Sequence, residues 1–366
     1  MTVGAILSPC GAPTLVSDLL VTTRGPALVT PSNFRPEEVN LLHEGLRAAR
    51  LTRKHFVTNN GKGFCFAGNN GEKILELAQN IQLRLRFLQP DQVAADMVEQ
   101  LWRDAHPDDT SPDDLVHFLA LEAHKGSGLN SIHYGAGDIV DFKSEYFGEC
   151  SAIGSGKHDF KRLVEMMDAS LKSKNAPKDI PELIEYPMLL IAELSAYANM
   201  IKLFWEPLSE TRNSWGGALE FVCFRKDRVI ASSPNTQFFA FDVELEPTPK
   251  LLGFYGKTAG FMPRSVTPRM VIKLYSPVEQ LGHASWPIED PFDPDGSRFT
   301  GGRTEETGMR VCSFRIMRAG SVVDLKLVNI PKAYQARIEA AEKEDDGLEA
   351  NLDVFQELCD IAVASM

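Results

Sequence analysis

TVGAILSPCGAPTLVSDLLVTT, residues 2–23, sets two short apolar runs either side of a break that carries glycine and proline. Residues 2–7 and 14–23 are rich in Val, Leu, Ile and Thr, side chains that suit a pleated, half-buried surface. SPCGAP between them (residues 8–13) supplies the turn residues that let a chain reverse. The chain is therefore expected to open with a β-hairpin.

Working outward, FRPEEVNLLHEGLRAARLTRKHF (residues 34–56) places Val39, Leu42 and Leu46 amid charge, which predicts an amphipathic helix over Glu37–Arg50. KHFVTNNGKGFCFAG (54–68) reads as strand, turn and strand. Two helices are expected next, over EKILELAQNIQLRLRFL (72–88) and DQVAADMVEQLWRDA (91–105). LVHFLALEA (115–123), NSIHYGAGDIVDF (130–142) and the run up to CSAIGSG (150–156) read as strands. Helices follow over about 159–172 and 180–204, the second kinked or offset by Pro187. GGALEFVCFRKDRVIASS (216–233) and QFFAFDVEL (237–245) return to strand. Strands, two helices, strands, two helices, strands, joined by hairpins, imply an α+β protein with two sheets face to face and helices outside, a four-layer αββα sandwich. A doubly wound nucleotide fold is excluded by the same order.

ELEPTPKLLG (244–253) turns Pro-rich, so a boundary is expected near 245, giving a domain over 1–244 and an extension over 245–366. Within the extension, residues 287–308 read as a long mobile loop and the tail from Pro331 as two short helices split at Gly347.

Hydrophobic residues at 43% and charged residues at 24% place the 366-residue chain among soluble globular proteins able to bury a sizeable core. A formal net charge of −12 opposes phosphate backbones and anionic membranes, so no nucleic-acid or membrane partner is expected. The start lacks a basic region, and Pro9, Gly11, Pro13 and Asp18 interrupt any span, which gives an expectation of a cytoplasmic protein. Six scattered cysteines without a CxxC pair read as reduced structural thiols. No cofactor or metal is expected. AIGSGKH lacks the glycine of a phosphate loop at Ser151 and its Ser/Thr at His158. Asp293 and Asp295 lack the remaining oxygens of a calcium loop, and His117, His124 and His133 read as structural histidines.

The position of Thr2 carries the chemistry. If Met1 is removed, the Thr2 hydroxyl lies beside its own α-amine, a base with a reference pKa of about 7.7–8.0. That amine can take the hydroxyl proton directly or through one water, the Thr-amine form of a nucleophile with its base.

Residues 2 to about 243 resemble proteasome β-type subunits and the related bacterial ring peptidase, both N-terminal-nucleophile hydrolases. The marks are Thr2; Asp18 across a hairpin of the family's length; Lys54, preferred over Lys62, ahead of Ala67-Gly68; Gly154-Ser155-Gly156 after a strand; and Gly216-Gly217. The resemblance implies that Thr2 attacks an amide carbonyl while Lys54, held by Asp18, favours the deprotonated forms. It also implies that Ser155 orients the amine, that the Gly68 N–H faces the developing oxyanion, and that copies assemble into rings or stacks around a peptide or other amide substrate. An unfoldase partner is left open. Three departures stand out: a helical insertion at about 30–52, Asn213 and Ser214 where the family has an aspartate and a serine, and the extension itself. Two rival readings are an inactive structural subunit and an amidohydrolase acting on a small molecule.

Overall fold

A computed structural model describes residues 2–23, 47–58, 61–88, 92–107, 109–125, 129–173, 175–179, 186–204, 215–216, 219–225, 229–232, 237–252, 256–273, 288–292, 304–307, 310–330, 334–338 and 352–364. They form a mixed α+β protein in two compact units, Met1–Ser232 with Ile288–Thr307, and Ser233–Pro287 with Gly308–Met366.

The first unit contains β1 (Gly4–Leu7), β2 (Thr14–Asp18), β3 (Leu20–Thr23), β4 (Arg47–Thr52), β5 (His55–Val57), β6 (Lys62–Gly68), β7 (Val116–Lys125), β8 (Leu129–Ala136), β9 (Ile139–Ser144), β10 (Gly148–Ile153), β11 (Leu219–Phe224) and β12 (Val229–Ser232). Its helices are α1 (Gly71–Leu85), α2 (Ala95–Ala105), α3 (Lys157–Ser173) and α4 (Tyr186–Phe204). The second unit begins with the long hairpin β13 (Gln237–Leu252) and β14 (Gly256–Lys273). The chain then gives β15 (Ile288–Glu289) and β16 (Thr304–Thr307) to the first unit and returns for β17 (Arg310–Arg318), β18 (Ser321–Asn329) and α5 (Leu352–Ala364).

The opening hairpin forms, its turn a short 3-10 segment at Pro9–Gly11, and it lies at the centre of a seven-stranded sheet ordered β16-β12-β11-β2-β1-β10-β9. A four-stranded antiparallel sheet, β5-β6-β7-β8, lies against it. Period-two alternation decides which side chain goes where. Cys65, Ala67, Leu119 and Leu121 of the smaller sheet meet Ile6, Leu15, Ile153, Val222 and Phe224 of the larger. Phe64, Phe66, Val116 and Phe118, one residue out of step, face α1 and α2 through Leu77, Ile81, Leu85 and Val98. The helix α1 starts at Asn70, whose side chain accepts the Lys73 N–H, and buries Leu77, Ala78, Ile81 and Leu85 along one stripe. On α3 the stripe is Phe160, Leu163, Val164, Met167 and Leu171, and this helix packs on β9 and β10 while α4 packs on β11.

Three expectations need restating. Residues 47–52, the end of the expected 30–52 helical insertion, are strand β4 paired with β3; the rest of that insertion lies outside the described residues. Pairing with Leu20–Thr23 overrides the helical periodicity of this short run. Of the helix expected over 180–204, α4 covers Tyr186–Phe204, and residues 180–185, ahead of Pro187, lie outside the described residues. Strand β13 runs unbroken through position 245, and the two units divide at Ser232/Ser233 instead. In the expected loop at 287–308, the described residues include strands β15 and β16, paired in parallel with β4 and β12.

The second unit is a four-stranded sheet, β14-β13-β17-β18, with β13 and β17 parallel. Phe239, Phe241, Val243, Leu245, Phe314 and Ile316 point to one face and pack with Val354, Phe355, Leu358 and Cys359 of α5. A second helical stretch occupies 334–338. No helix among the described residues is long and apolar enough to cross a membrane.

Candidate active site

The antiparallel pairing of β1 with β2 brings the end of the hairpin back to its beginning. The Asp18 N–H donates to the Val3 carbonyl at 3.0 Å, and the Val3 N–H donates to Asp18 Oδ1 at 2.9 Å. Asp18, with 0% exposure, is thereby fixed beside Thr2 by both its backbone and its side chain. Its other oxygen, Oδ2, accepts the Gly216 N–H at 2.9 Å.

Lys54 lies in the two-residue link between β4 and β5, anchored by its own carbonyl, which accepts the Phe66 N–H at 2.9 Å. From there Nζ donates to Asp18 Oδ1 at 2.7 Å and to the Leu20 carbonyl at 2.5 Å. Burial pushes the Lys54 ammonium below the usual lysine value, while the charge and hydrogen bond of Asp18 oppose the shift. Lys62 pairs elsewhere, with Glu122 at 2.6 Å.

Thr2 is 6% exposed; its N–H donates to Ser155 Oγ at 3.3 Å and its carbonyl accepts the Gly156 N–H at 3.3 Å. The loop after β10 reaches Thr2 only because it is glycine-rich. Gly154 holds φ at +90°, and a Cβ there would stand 2.0 Å from the Thr2 carbonyl oxygen. A Cβ on Gly156 would strike Trp215 at 2.2 Å and Val3 at 2.6 Å. The Ala67 Cβ, near the end of β6, is 3.2 Å from that same Cβ position on Gly154, while a Cβ on the next residue, Gly68, would meet the Leu115 carbonyl at 3.0 Å. Thr2, Asp18, Lys54, Ser155 and the end of β6 thus converge at one end of the central strands. Asn213, Ser214 and Gly217 lie outside the described residues.

Several residues of this region were not singled out in the sequence. Trp215 is buried, packs edge-on to Phe160 and backs Gly156, while the Gly216 carbonyl accepts the Leu19 and Leu20 N–H groups at 3.2 and 3.0 Å. Arg53 forms a two-pronged pair with Glu220, Nε to Oε2 at 3.0 Å and Nη2 to Oε1 at 2.8 Å, and a further bond to Asp290. The His55 Nδ1 lies 2.7 Å from Ser17 Oγ, and burial followed by the charge of Arg53 holds its imidazole well below its ordinary value. The available signal was Glu220, a lone charge inside the apolar strand LEFVCF, which needs a buried cation.

Among the described residues no group of His, Cys, Asp or Glu is arranged to hold a metal ion. His117 accepts the Asp138 N–H at 2.9 Å, and Lys157, the lysine of the phosphate-loop-like run, pairs with Asp138. A cavity of about 530 Å³ along β8, β9 and β10 is lined by Asp141, Lys143, Glu149 and Ser151 among others, and by none of the converging residues.

No family model matches the chain, and no curated protein matches it. Similar solved structures include Anbu (ancestral beta-subunit) from Yersinia bercovieri, at 14% identity and a TM-score of 0.36, covering 61% of this chain and 81% of that one. An Anbu (Gly-1) mutant from Hyphomicrobium sp. strain MC1 is similar at 13% identity and a TM-score of 0.34, covering 62% and 82%. The resemblance to proteasome β-type subunits and the bacterial ring peptidase, implied by motif spacing, is corrected here: these similar structures are Anbu proteins and superpose only weakly. Matching separations of a few residues do not fix the arrangement of whole elements.

Proposed function

We propose that this chain is a hydrolase that cleaves amide bonds, peptides foremost, with Thr2 as an N-terminal nucleophile once whatever precedes it is removed. The observation that carries this reading is that one buried carboxylate, Asp18, binds both the Val3 N–H next to Thr2 and the Lys54 ammonium, while Ser155 accepts the Thr2 N–H.

The freed amine would take the Thr2 hydroxyl proton as Oγ attacks the carbonyl carbon, and would pass that proton to the leaving amine when the C–N bond breaks. The resulting ester would be hydrolysed by water, which returns the proton to Thr2 Oγ and releases an acid. Lys54 would lower the energy of the alkoxide by its charge, Ser155 would orient the amine, and the Gly68 N–H would face the oxyanion, a donor typically worth roughly 10²–10³ in rate. The packed sheets with α1 and α2 on one and α3 and α4 on the other support an αββα sandwich as the scaffold. Self-association into a ring or stack belongs to the same proposal.

The test is the intact mass of the protein before and after a peptide epoxyketone. A single adduct mapped to Thr2, lost in Thr2→Ala together with amide hydrolysis, is the expected result. Hydrolysis unchanged in Thr2→Ala would overturn the assignment, and a blocked Thr2 amine without an adduct would favour an inactive scaffold.

A further inference from the structure

The residue before Lys54 is tied to the chain that follows residue 245. Strand β15 lies parallel to β4, with Ile288 opposite Leu51 and Glu289 opposite Thr52. The next residue, Asp290, bonds Arg53 Nη1, and Phe292 packs on Phe56 and Phe66 at ring separations of 5.7 and 5.8 Å. Arg53 is 8% exposed and uses the other side of its guanidinium on Glu220 of β11. The planar fork of arginine thus ties three elements together at the residue that precedes Lys54, geometry that a lysine could not reproduce.

We propose that Arg53, clamped between Glu220 and Asp290, is a positioning residue that holds Lys54 on Asp18, and that the 288–292 strap is therefore a working part of the Thr2 site. This inference rests on the reading of Thr2 as nucleophile for its kinetic consequence, but its structural half stands apart from it. The Arg53–Lys54 link has an anchor on each side chain: Glu220 with the partly buried Asp290 for the first, Asp18 with the Leu20 carbonyl for the second. Releasing the first anchor lets the link rotate and draws Nζ away from Asp18. Among the described residues, the charged and titratable groups that meet the run Arg53–Lys54–His55 include Asp18 on β2, Glu220 on β11 and Asp290 on the strap.

Asp290→Asn and Arg53→Lys test this in the full chain, with two readouts. The first is competitive acetylation of lysines, read by mass spectrometry across pH, with Lys62 as internal reference. Lys54 is expected to become about tenfold more reactive than in the parent in both variants, since its hold on Asp18 loosens. The second is the rate of Thr2 modification by the epoxyketone, expected to fall about tenfold, an effect in line with small displacements of a catalytic group. The alkaline limb of that rate should move to lower pH, because Lys54 keeps its burial and loses part of the support of Asp18. Unchanged Lys54 acetylation and an unchanged pH profile in both variants, with only a lower melting temperature, would overturn the proposal. Altered Lys54 reactivity in a protein whose Thr2 never reacts would uphold the positioning role and defeat the nucleophile reading.

Discussion

Two buried lysines sit on either side of the same short strand, and they differ in what their ion pairs adjoin. Lys62 donates to Glu122 and to the Gln92 carbonyl, both at 2.6 Å, and Glu122 also accepts the Tyr134 hydroxyl at 2.6 Å and the Ala94 N–H at 3.0 Å. That network ties β6, β7 and β8 to the segment that leads into α2. Lys54 donates to a carboxylate of similar burial, but Asp18 passes the connection to Val3 and so to the residue that Ser155 also holds. Burial and charge are alike in the two pairs. What distinguishes a candidate catalytic lysine is the neighbour its partner shares, which is a property of topology.

The sharpest way to break this comparison is to remove each ammonium. Lys54→Met should slow Thr2 modification and amide hydrolysis by about 10²–10⁴-fold, the usual contribution of a group that assists proton transfer. Lys62→Met should leave the rate per folded molecule unchanged and reduce the unfolding free energy by about 3–5 kcal/mol, as expected when a buried carboxylate loses its partner. Chemical denaturation with parallel rate measurements distinguishes the two; equal rate losses would erase the contrast.

A smaller effect is expected from the loop that reaches Thr2. Gly154→Ala puts a methyl group 2.0 Å from the Thr2 carbonyl oxygen at φ +90°, so it should lose more than the roughly 1–3 kcal/mol of backbone strain alone and slow Thr2 modification as well. Gly320→Ala is the control: φ is +76° there, but a Cβ would meet nothing within 4 Å. It should cost the strain and leave the reaction alone. Identical rates for the two variants would detach Gly154 from the site.

The smallest effect concerns pH. His55 is held neutral by burial and by Arg53, so its folded value is below 6.5 while the unfolded chain titrates near 6.5. Between those two values the unfolded state binds the extra proton, and stability falls as pH falls through that window. Below the folded value the loss is complete and the curve flattens. Unfolding free energies measured from pH 7 downward should show this fall, and His55→Gln should remove it. A variant as acid-sensitive as the parent would assign the loss to other groups.

Much of the first unit was legible in the sequence, and the reasons are local. The hairpin at 2–23 declares itself by β-branched runs around a Gly/Pro break, and α1 and α3 by stripes of apolar residues at helical spacing. Residues 47–52 were misread because a six-residue run carries too few turns for periodicity to outweigh pairing with β3. β15 and β16 were missed because strands of two and four residues have almost no pattern, and their partners, β4 and β12, lie far away in sequence. Trp215 and Arg53 escaped for a related reason, since neither residue type announces which distant segment it will meet.

By itself the sequence determined most of the order of strands and helices in the first unit, the alternation that gives each strand an inner and an outer face, and the residue types present at Thr2, Asp18, Lys54 and Ser155. These follow from interactions between residues a few positions apart. Only the tertiary structure decided that Asp18 would carry Val3, Gly216 and Lys54 at once, that Lys62 would be taken by Glu122, and that a strap from beyond residue 245 would hold the residue before Lys54. Each of these is a contact between distant segments, bought by the burial of whole sheets against one another, and a one-dimensional pattern does not encode which distant partner will satisfy a buried charge.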